Sequence, residues 1–428
     1  MKWHVSKKKF FDVTPNVTPA PQGSSASHAS SVSSAAADPR AQGVNVTAVS
    51  AGGSHTALVG SDGVVYTCGL NDHGQLGHSP HSLYVPAATP VEGLPPYDPV
   101  VAVSAGHYHT LCVTASGELW AFGRNDQSQC GLGKDAPPKV HAPAWVETLS
   151  PHRAGSAGGV KGVAAGNGHS LAVTSEGAVY SWGASSEGVL GHGAEERWRW
   201  GFFARSAVES VPRLVRALAD HGTRGEKVSV GLMHSACVDT AGRVYVWGQN
   251  RFNQLGLGGT SSAPYVTEPT AIPGLGRTGE IACGGNFTVA ASLQGGALSA
   301  WGVDNNGELG RGGQPRGGPA GVPRAVMRAH AGDGGAGRFV KIGAGWKHAA
   351  GVTAQGLLYT WGWGGSAGTH YDAAFSSGGQ LGLNHDGDMW EPAMVEGIGT
   401  GSGSRGDKRR AIDISCGYNH TVVLVEEP

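Results

Sequence analysis

The sequence predicts an all-β chain folded as a seven-bladed β-propeller with about four antiparallel strands per blade. Two observations carry this expectation. A short phrase of the form Ala/Cys-Gly-x-x-His-Ser/Thr recurs seven times, with glycines at Gly52, Gly106, Gly166, Gly231, Gly284, Gly345 and Gly417. The intervals are 54, 60, 65, 53, 61 and 72 residues, a period that marks one supersecondary unit used repeatedly. The second observation is a pair of turn signals that follows the phrase in fixed order. Trp-Gly occurs at Trp182-Gly183, Trp247-Gly248, Trp301-Gly302 and Trp361-Gly362, with Cys68-Gly69 and Phe122-Gly123 in the same slot. Leu-Gly then follows at Leu76, Leu190, Leu255, Leu309 and Leu381, with Cys130-Gly131 once in its place.

Each unit reads as strands joined by hairpins. In the fourth, Ser235-Ala236-Cys237-Val238 alternates after the His phrase, a Gly turn follows, and Val244-Tyr245-Val246-Trp247-Gly248 makes a second apolar run. Alternating β-branched and aromatic residues bounded by glycine are the pattern of short antiparallel strands. The 72 glycines supply the turns these strands require. Radial repetition suits many short strands because it leaves few sheet edges exposed.

This combination of phrases resembles the regulator of chromosome condensation repeat family, whose members form seven-bladed propellers. The resemblance covers residues 44–428 and speaks to fold far more than to function, since one fold hosts unrelated activities. A tryptophan–aspartate repeat propeller is the competing architecture, but its Gly-His and Trp-Asp signatures and its shorter period are missing. The chain therefore divides into a tail and Ser/Ala/Pro-rich linker at residues 1–43 and a propeller at residues 44–428. Within the tail, Trp3-His4-Val5 and Phe10-Phe11-Asp12-Val13 carry β-like sequence. Only six Trp-Gly hairpins follow the seven His phrases. Residues 2–13 are therefore expected to close blade seven by pairing with residues 412–425, or else to dock on a partner.

Composition limits the functional classes. A formal net charge of −1 and a charged fraction of 15% are not the footprint of a general nucleic-acid binder. No apolar run reaches membrane-span length. The six cysteines have neither pairing nor metal-ligand spacing and read as buried thiols of a reducing compartment, with cytoplasm, cytoskeleton or cilium expected. An organelle stays open, because residues 1–43 are rich in Ser and Ala with only Asp12 and Asp38 as acids.

Departures from the repeat supply the candidate partner-binding residues. The third unit inserts Trp198, Arg199, Trp200, Phe202 and Phe203, the residue types that dominate interface hot spots. The sixth adds residues 364–377, with Tyr371 and Phe375 inside. Lys408, Arg409 and Arg410, brought near Lys7, Lys8 and Lys9 by closure, would form a basic seam for an acidic protein surface. Residues 311–338 read as a locally basic surface loop. Alternative readings of both insertions are a lid packed on its own blade and a passive loop.

No catalytic constellation stands out. His55, His109, His169, His234, His348 and His420 recur once per unit, which argues for one structural task repeated, and Phe287 fills the slot in unit five. There is no Gly-x-Ser-x-Gly elbow, P-loop or His-Glu-x-x-His, and no cofactor is expected. The expected function is a non-enzymatic protein–protein interaction scaffold, a fixed subunit of a larger assembly such as a cytoskeletal or ciliary complex. The family resemblance offers two alternatives, guanine-nucleotide exchange on a small GTPase and an organellar ribosome-associated factor. Against exchange, the family's unit-three wedge corresponds here to a shortened Ala184-Ser185-Ser186-Glu187-Gly188 turn. A light-sensing role, known for one branch of the fold, would require clustered Gly-Trp-Arg-His-Thr phrases. Gly345-Trp346-Lys347-His348-Ala349 is the single approximation.

Overall fold

The computed structural model describes residues 8–12, 44–78, 82–193, 208–258, 263–313, 320–326, 338–365, 379–399 and 409–426. Its strands form six four-stranded antiparallel sheets and one three-stranded sheet. Blade 1 comprises Val46–Ala51, His55–Gly60, Val65–Leu70 and Tyr84–Pro90, paired in sequence order from the inside out. Blades 2 to 6 repeat this order over residues 100–145, 160–214, 225–271, 278–325 and 339–394.

The expected count of seven four-stranded blades is corrected to six. After the seventh His phrase only one strand follows, Thr421–Glu426, which pairs with Arg410–Cys416. The strand Lys8–Asp12 joins it antiparallel, with Lys8 opposite Glu426 and Asp12 opposite Val422, and no fourth strand is added among the described residues. This three-stranded sheet lies between blade 6 and blade 1. His348 Nε2 bonds Thr421 Oγ1 at 2.9 Å, and Tyr418 N donates to Gly52 O at 3.0 Å.

Residues 311–338 also depart from expectation, because Ala320–Ala325 is the outer strand of blade 5. Its composition hides it. Each outer strand contains proline (Pro86, Pro143, Pro212, Pro269, Pro323 and Pro392) and, Val140 and Pro392 aside, is partly buried or exposed at its described positions. A proline offers no N–H, so it is tolerated at a sheet edge, where it blocks further pairing.

The third strand of every blade is locked by its Trp-Gly glycine. Gly248 lies opposite His234 at φ +102, and a Cβ there would sit 2.7 Å from Met233 O. That backbone bulge turns the preceding side chain inward, so Trp182, Trp247, Trp301, Trp361 and Phe122 are wholly buried between blades. The core is therefore a set of interblade layers. One layer joins Trp301, Phe287, Leu255 and Leu309 to Trp361, and another joins Phe122, Leu111 and Val140 to Trp182.

Candidate functional site

The repeated histidines form a belt of interblade hydrogen bonds. His55 Nε2 contacts Thr110 Oγ1 at 3.0 Å, His109 contacts Ser170 at 2.8 Å, His169 contacts Ser235 at 3.0 Å, and His234 contacts Thr288 at 2.9 Å. Each of these hydroxyls donates onward to a carbonyl, of Gln75, Gln129, Val189 and Gln254 respectively. A hydroxyl committed as donor can only accept from the ring, so Nε2 carries a proton. Burial, with neighbouring histidines adding to it, holds His55, His109, His234 and His348 at about 3; burial alone holds His169 at about 4. These histidines are fasteners and have no proton to exchange near neutrality.

The belt fixes what lies above it. In each unit the two residues between Gly and His form the turn from the inner to the second strand, and all these turns open on one face. The long connections after the third strands emerge on the same face. They are held by Asn71, Asn125, Asn250 and Asp304, whose side-chain oxygens accept from the N–H of Leu76, Cys130, Leu255 and Leu309.

Four of those turn residues and their neighbours assemble into a stack of rings at the mouth of the central axis. Trp346 stacks on Tyr418 with centroids 4.4 Å apart, Tyr418 on His107 at 4.8 Å, and His107 on Tyr108 at 4.0 Å. Trp363 meets Trp346 edge-on at 6.0 Å and His73 meets Tyr108 edge-on at 4.8 Å. Cations close both ends. Lys347 Nζ lies 4.5 Å from the Trp346 centroid and the Arg124 guanidinium 5.6 Å from that of Tyr108. His107 Nδ1 pairs with Asn167 Oδ1 at 2.9 Å, and burial lowers its pKa. The ring can cross unit 1 because Gly53 has no side chain: a Cβ there would sit 2.2 Å from His107 Cδ2. Lined in part by the stack, an axial cavity of about 100 Å³ is walled by the Ala-Gly, Val-Gly and Cys-Gly pairs of the seven phrases, with His107, Asn167, Leu232, Trp346 and Tyr418 around it.

Beside Lys347 lies a second perturbed group. Glu308 occupies the slot that Gln75, Gln129, Gln254 and Gln380 fill elsewhere. Its Oε2 accepts from Asn306 N at 2.7 Å, and burial pushes its pKa up to about 7.

The sequence-predicted partner-binding residues fall differently. Trp198, Arg199, Trp200, Phe202, Phe203, Tyr371, Phe375 and Lys408 lie outside the described residues. The described flanks of the two insertions, Gly193 and Val208 and then Gly365 and Gly379, belong to connections on the loop face. Arg409 and Arg410 are on the opposite face, where Arg410 donates to the carbonyls of Ala354 and Gln355. The described flanks of the insertions and Arg409–Arg410 thus lie on opposite faces, while Lys8 and Arg410 flank Glu426 in the last sheet. Sequence reading passed over His107, Tyr108, Trp346, Lys347 and Tyr418 as a set. Their signal was present: they occupy the variable positions of an otherwise regular phrase. In the unit-three turn, Glu187 is tied to blade 4 through Arg251 at 2.8 Å and Gln249 at 2.5 Å. Among the described residues no group of three or more His, Cys, Asp or Glu could hold a metal, and no helix is long and apolar enough to cross a membrane.

The RCC1-like domain model matches residues 22–423. The chain belongs to the RCC1-like domain family. Among RCC1-like relatives, the ultraviolet-B receptor UVR8 of Arabidopsis thaliana is 31% identical over 74% of this chain, which spans 65% of that receptor's length. The human regulator of chromosome condensation is 29% identical over 90% of this chain and 83% of its own. In structure, human WBSCR16 superposes with a TM-score of 0.72 at 24% identity, covering 90% of this chain and 87% of its own. Yeast Prp20p, whose crystal structure was described with its binding to Gsp1p and histones, gives 0.71 at 22% identity over 91% and 84%. Both structures share the fold.

Proposed function

We propose that this RCC1-like propeller is a non-enzymatic protein-interaction module that works through its loop face. One observation carries the reading: the repeated histidines are consumed by the framework, while the variable residues beside them converge on a single ring stack with cations at both ends. Tyr and Trp together with Arg are the side chains enriched at protein contact sites. The finer form of the proposal is a fixed subunit of a larger intracellular assembly.

The test is affinity purification followed by mass spectrometry, comparing the wild-type chain with Trp346→Ala/Tyr418→Ala. Loss of the stoichiometric partners from a folded double variant supports the loop face, and unchanged recovery removes it.

Guanine-nucleotide exchange is the second reading, favoured by the similarity to the regulator of chromosome condensation and by the binding of Prp20p to Gsp1p. Against it stands the short unit-three turn, whose Glu187 is held by Arg251 and Gln249. A mant-nucleotide release assay over a panel of small GTPases should show no acceleration, and a tenfold enhancement for any member would establish exchange instead.

A further inference from the structure

We infer that the axial mouth of the loop face receives an acidic segment of a protein partner, with Lys347 meeting a carboxylate and the cavity beside it taking a neighbouring apolar side chain. This deepens the reading of the loop face as an interaction surface and rests on it.

The charge argument begins with the stack. An aromatic ring is electron-rich on its faces and electron-poor at its edge. In Trp346, Tyr418, His107 and Tyr108 the faces cover one another, so the rim they present is built of positive edges. The cations of this face are then unequal. Arg124 is satisfied by both carboxylate oxygens of Asp126, at 2.8 and 2.7 Å. Arg251 pairs with Glu187 and Arg311 with Asp304, each at 2.8 Å. Lys139 Nζ donates to Asp72 O at 2.8 Å. Lys347 Nζ lies over Trp346 and Trp363, at 4.5 and 5.4 Å, and has neither an ion pair nor a hydrogen bond among the described residues. The nearby Glu308 feels the Lys347 charge, but burial raises the pKa of that carboxyl all the same, its Oε2 is held by Asn306 N, and it makes no ion pair with Lys347 among the described residues. An ammonium with aromatic walls and no ion-paired carboxylate attracts one arriving from outside.

The cavity selects what accompanies the acid. The N–H groups of Gly53, His107, Leu232, Gly285 and Tyr418 all donate to carbonyls of the next unit. The cavity therefore offers few donors for an anion, and with about 100 Å³ it suits one short apolar side chain. Nucleobases would need free ring faces to stack on, and the inner faces of this stack are already covered. Edges, the Lys347 ammonium and an apolar hole together fit Asp or Glu adjacent to Leu or a side chain of similar size.

The experiment is fluorescence anisotropy with the full chain and three labelled probes: a synthetic peptide alternating Glu and Asp with Leu, the same peptide with Lys replacing each acid, and an oligothymidylate. The acidic peptide should bind best, and more weakly as salt is raised. Lys347→Glu should weaken that binding at least tenfold and improve binding of the Lys peptide. Arg277→Glu, an exposed position on the opposite face, should leave both unchanged. Near-ultraviolet circular dichroism confirms that each variant is folded. Failure of the acidic peptide to bind, indifference to Lys347→Glu, or tighter binding of the oligothymidylate each overturns the inference. If partner recovery falls for Trp346→Ala/Tyr418→Ala while Lys347→Glu has no effect, the interaction face stands and the acidic occupant is rejected.

Discussion

The contact between blades 4 and 5 is polar, while the same contact between blades 5 and 6 is apolar. In the first, His234 donates to Thr288, Thr288 donates to Gln254 O, and Trp301 Nε1 donates to that same carbonyl at 2.9 Å. In the second, Phe287 replaces the histidine and Ala349 replaces the hydroxyl, both buried, while Trp361 Nε1 still donates to Glu308 O at 2.9 Å. The rings occupy equivalent places: a Cβ at Gly231 would meet His234 Cε1, and one at Gly284 would meet Phe287 Cε1. The lesson is that a buried donor and its acceptor are kept or discarded together. Either one alone would be left unsatisfied in a dry layer.

Acid should separate the two contacts most strongly. The folded pKa of His234 is lowered to about 3 from the ordinary 6.5, so the unfolded chain binds more protons in that window. Its contribution is fully present above about pH 6.5 and is lost as pH falls toward 3, by up to about 1.4 kcal/mol per pH unit. His55, His109 and His348 act in the same direction, and Phe287 contributes nothing. Denaturant melts between pH 7 and 4 should therefore show steep acid loss, and His234→Phe/Thr288→Ala should reduce the slope by one histidine's share. An unchanged slope would mean that the belt does not set acid stability.

Backbone geometry should make the two contacts fail alike. Gly248 and Gly302 lie at φ +102 and +107 opposite His234 and Phe287. Gly248→Ala and Gly302→Ala are each expected to cost roughly 3 kcal/mol or more, from strain and from the collision with a carbonyl. Thermal melts that spare either variant would show that the bulge can relax.

A double-mutant cycle sharpens the comparison. His234→Phe alone should cost about 1–3 kcal/mol, whereas adding Thr288→Ala should cost much less than the sum, because the pair then copies Phe287 and Ala349. Strict additivity of the two losses would contradict paired retention.

An effect of the opposite sign is expected at Glu308. Its folded pKa is raised to about 7 from 4.5, so the folded chain binds the extra proton and stability falls as pH rises between those values. Glu308→Gln, the residue used in blades 1, 2, 4 and 6, should flatten that fall and raise stability at pH 8 by about 1–3 kcal/mol. If the variant melts no higher than wild type at pH 8, the carboxyl is not the strained group.

Much of the architecture was legible because the repeat writes it locally. The phrase, the Trp-Gly bulge and the Leu-Gly turn each impose a backbone shape through glycine and a buried side chain, and they recur in register. The outer strand of blade 5 was hidden, since Val322-Pro323-Arg324 has the composition of a loop and becomes a strand only by pairing with blade 5. The strand count of the last sheet was hidden as well. The β-like runs within residues 2–13 and the missing seventh hairpin do raise pairing between the chain ends as one of two possibilities, and Lys8–Asp12 pairs with Thr421–Glu426.

The sequence by itself determined the repeat, the structural role of the histidines and the loss of one of them at Phe287; the structure showed that Ala349 has lost the matching hydroxyl. Only the tertiary structure decided that His107, Tyr108, Trp346 and Tyr418 are one stack and that Lys347 lies at its end. The reason is physical. Hydrogen bonding and turn preference act between near neighbours, whereas ring stacking across the axis depends on where closure of the ring places residues more than 200 apart, such as His107 and Trp346.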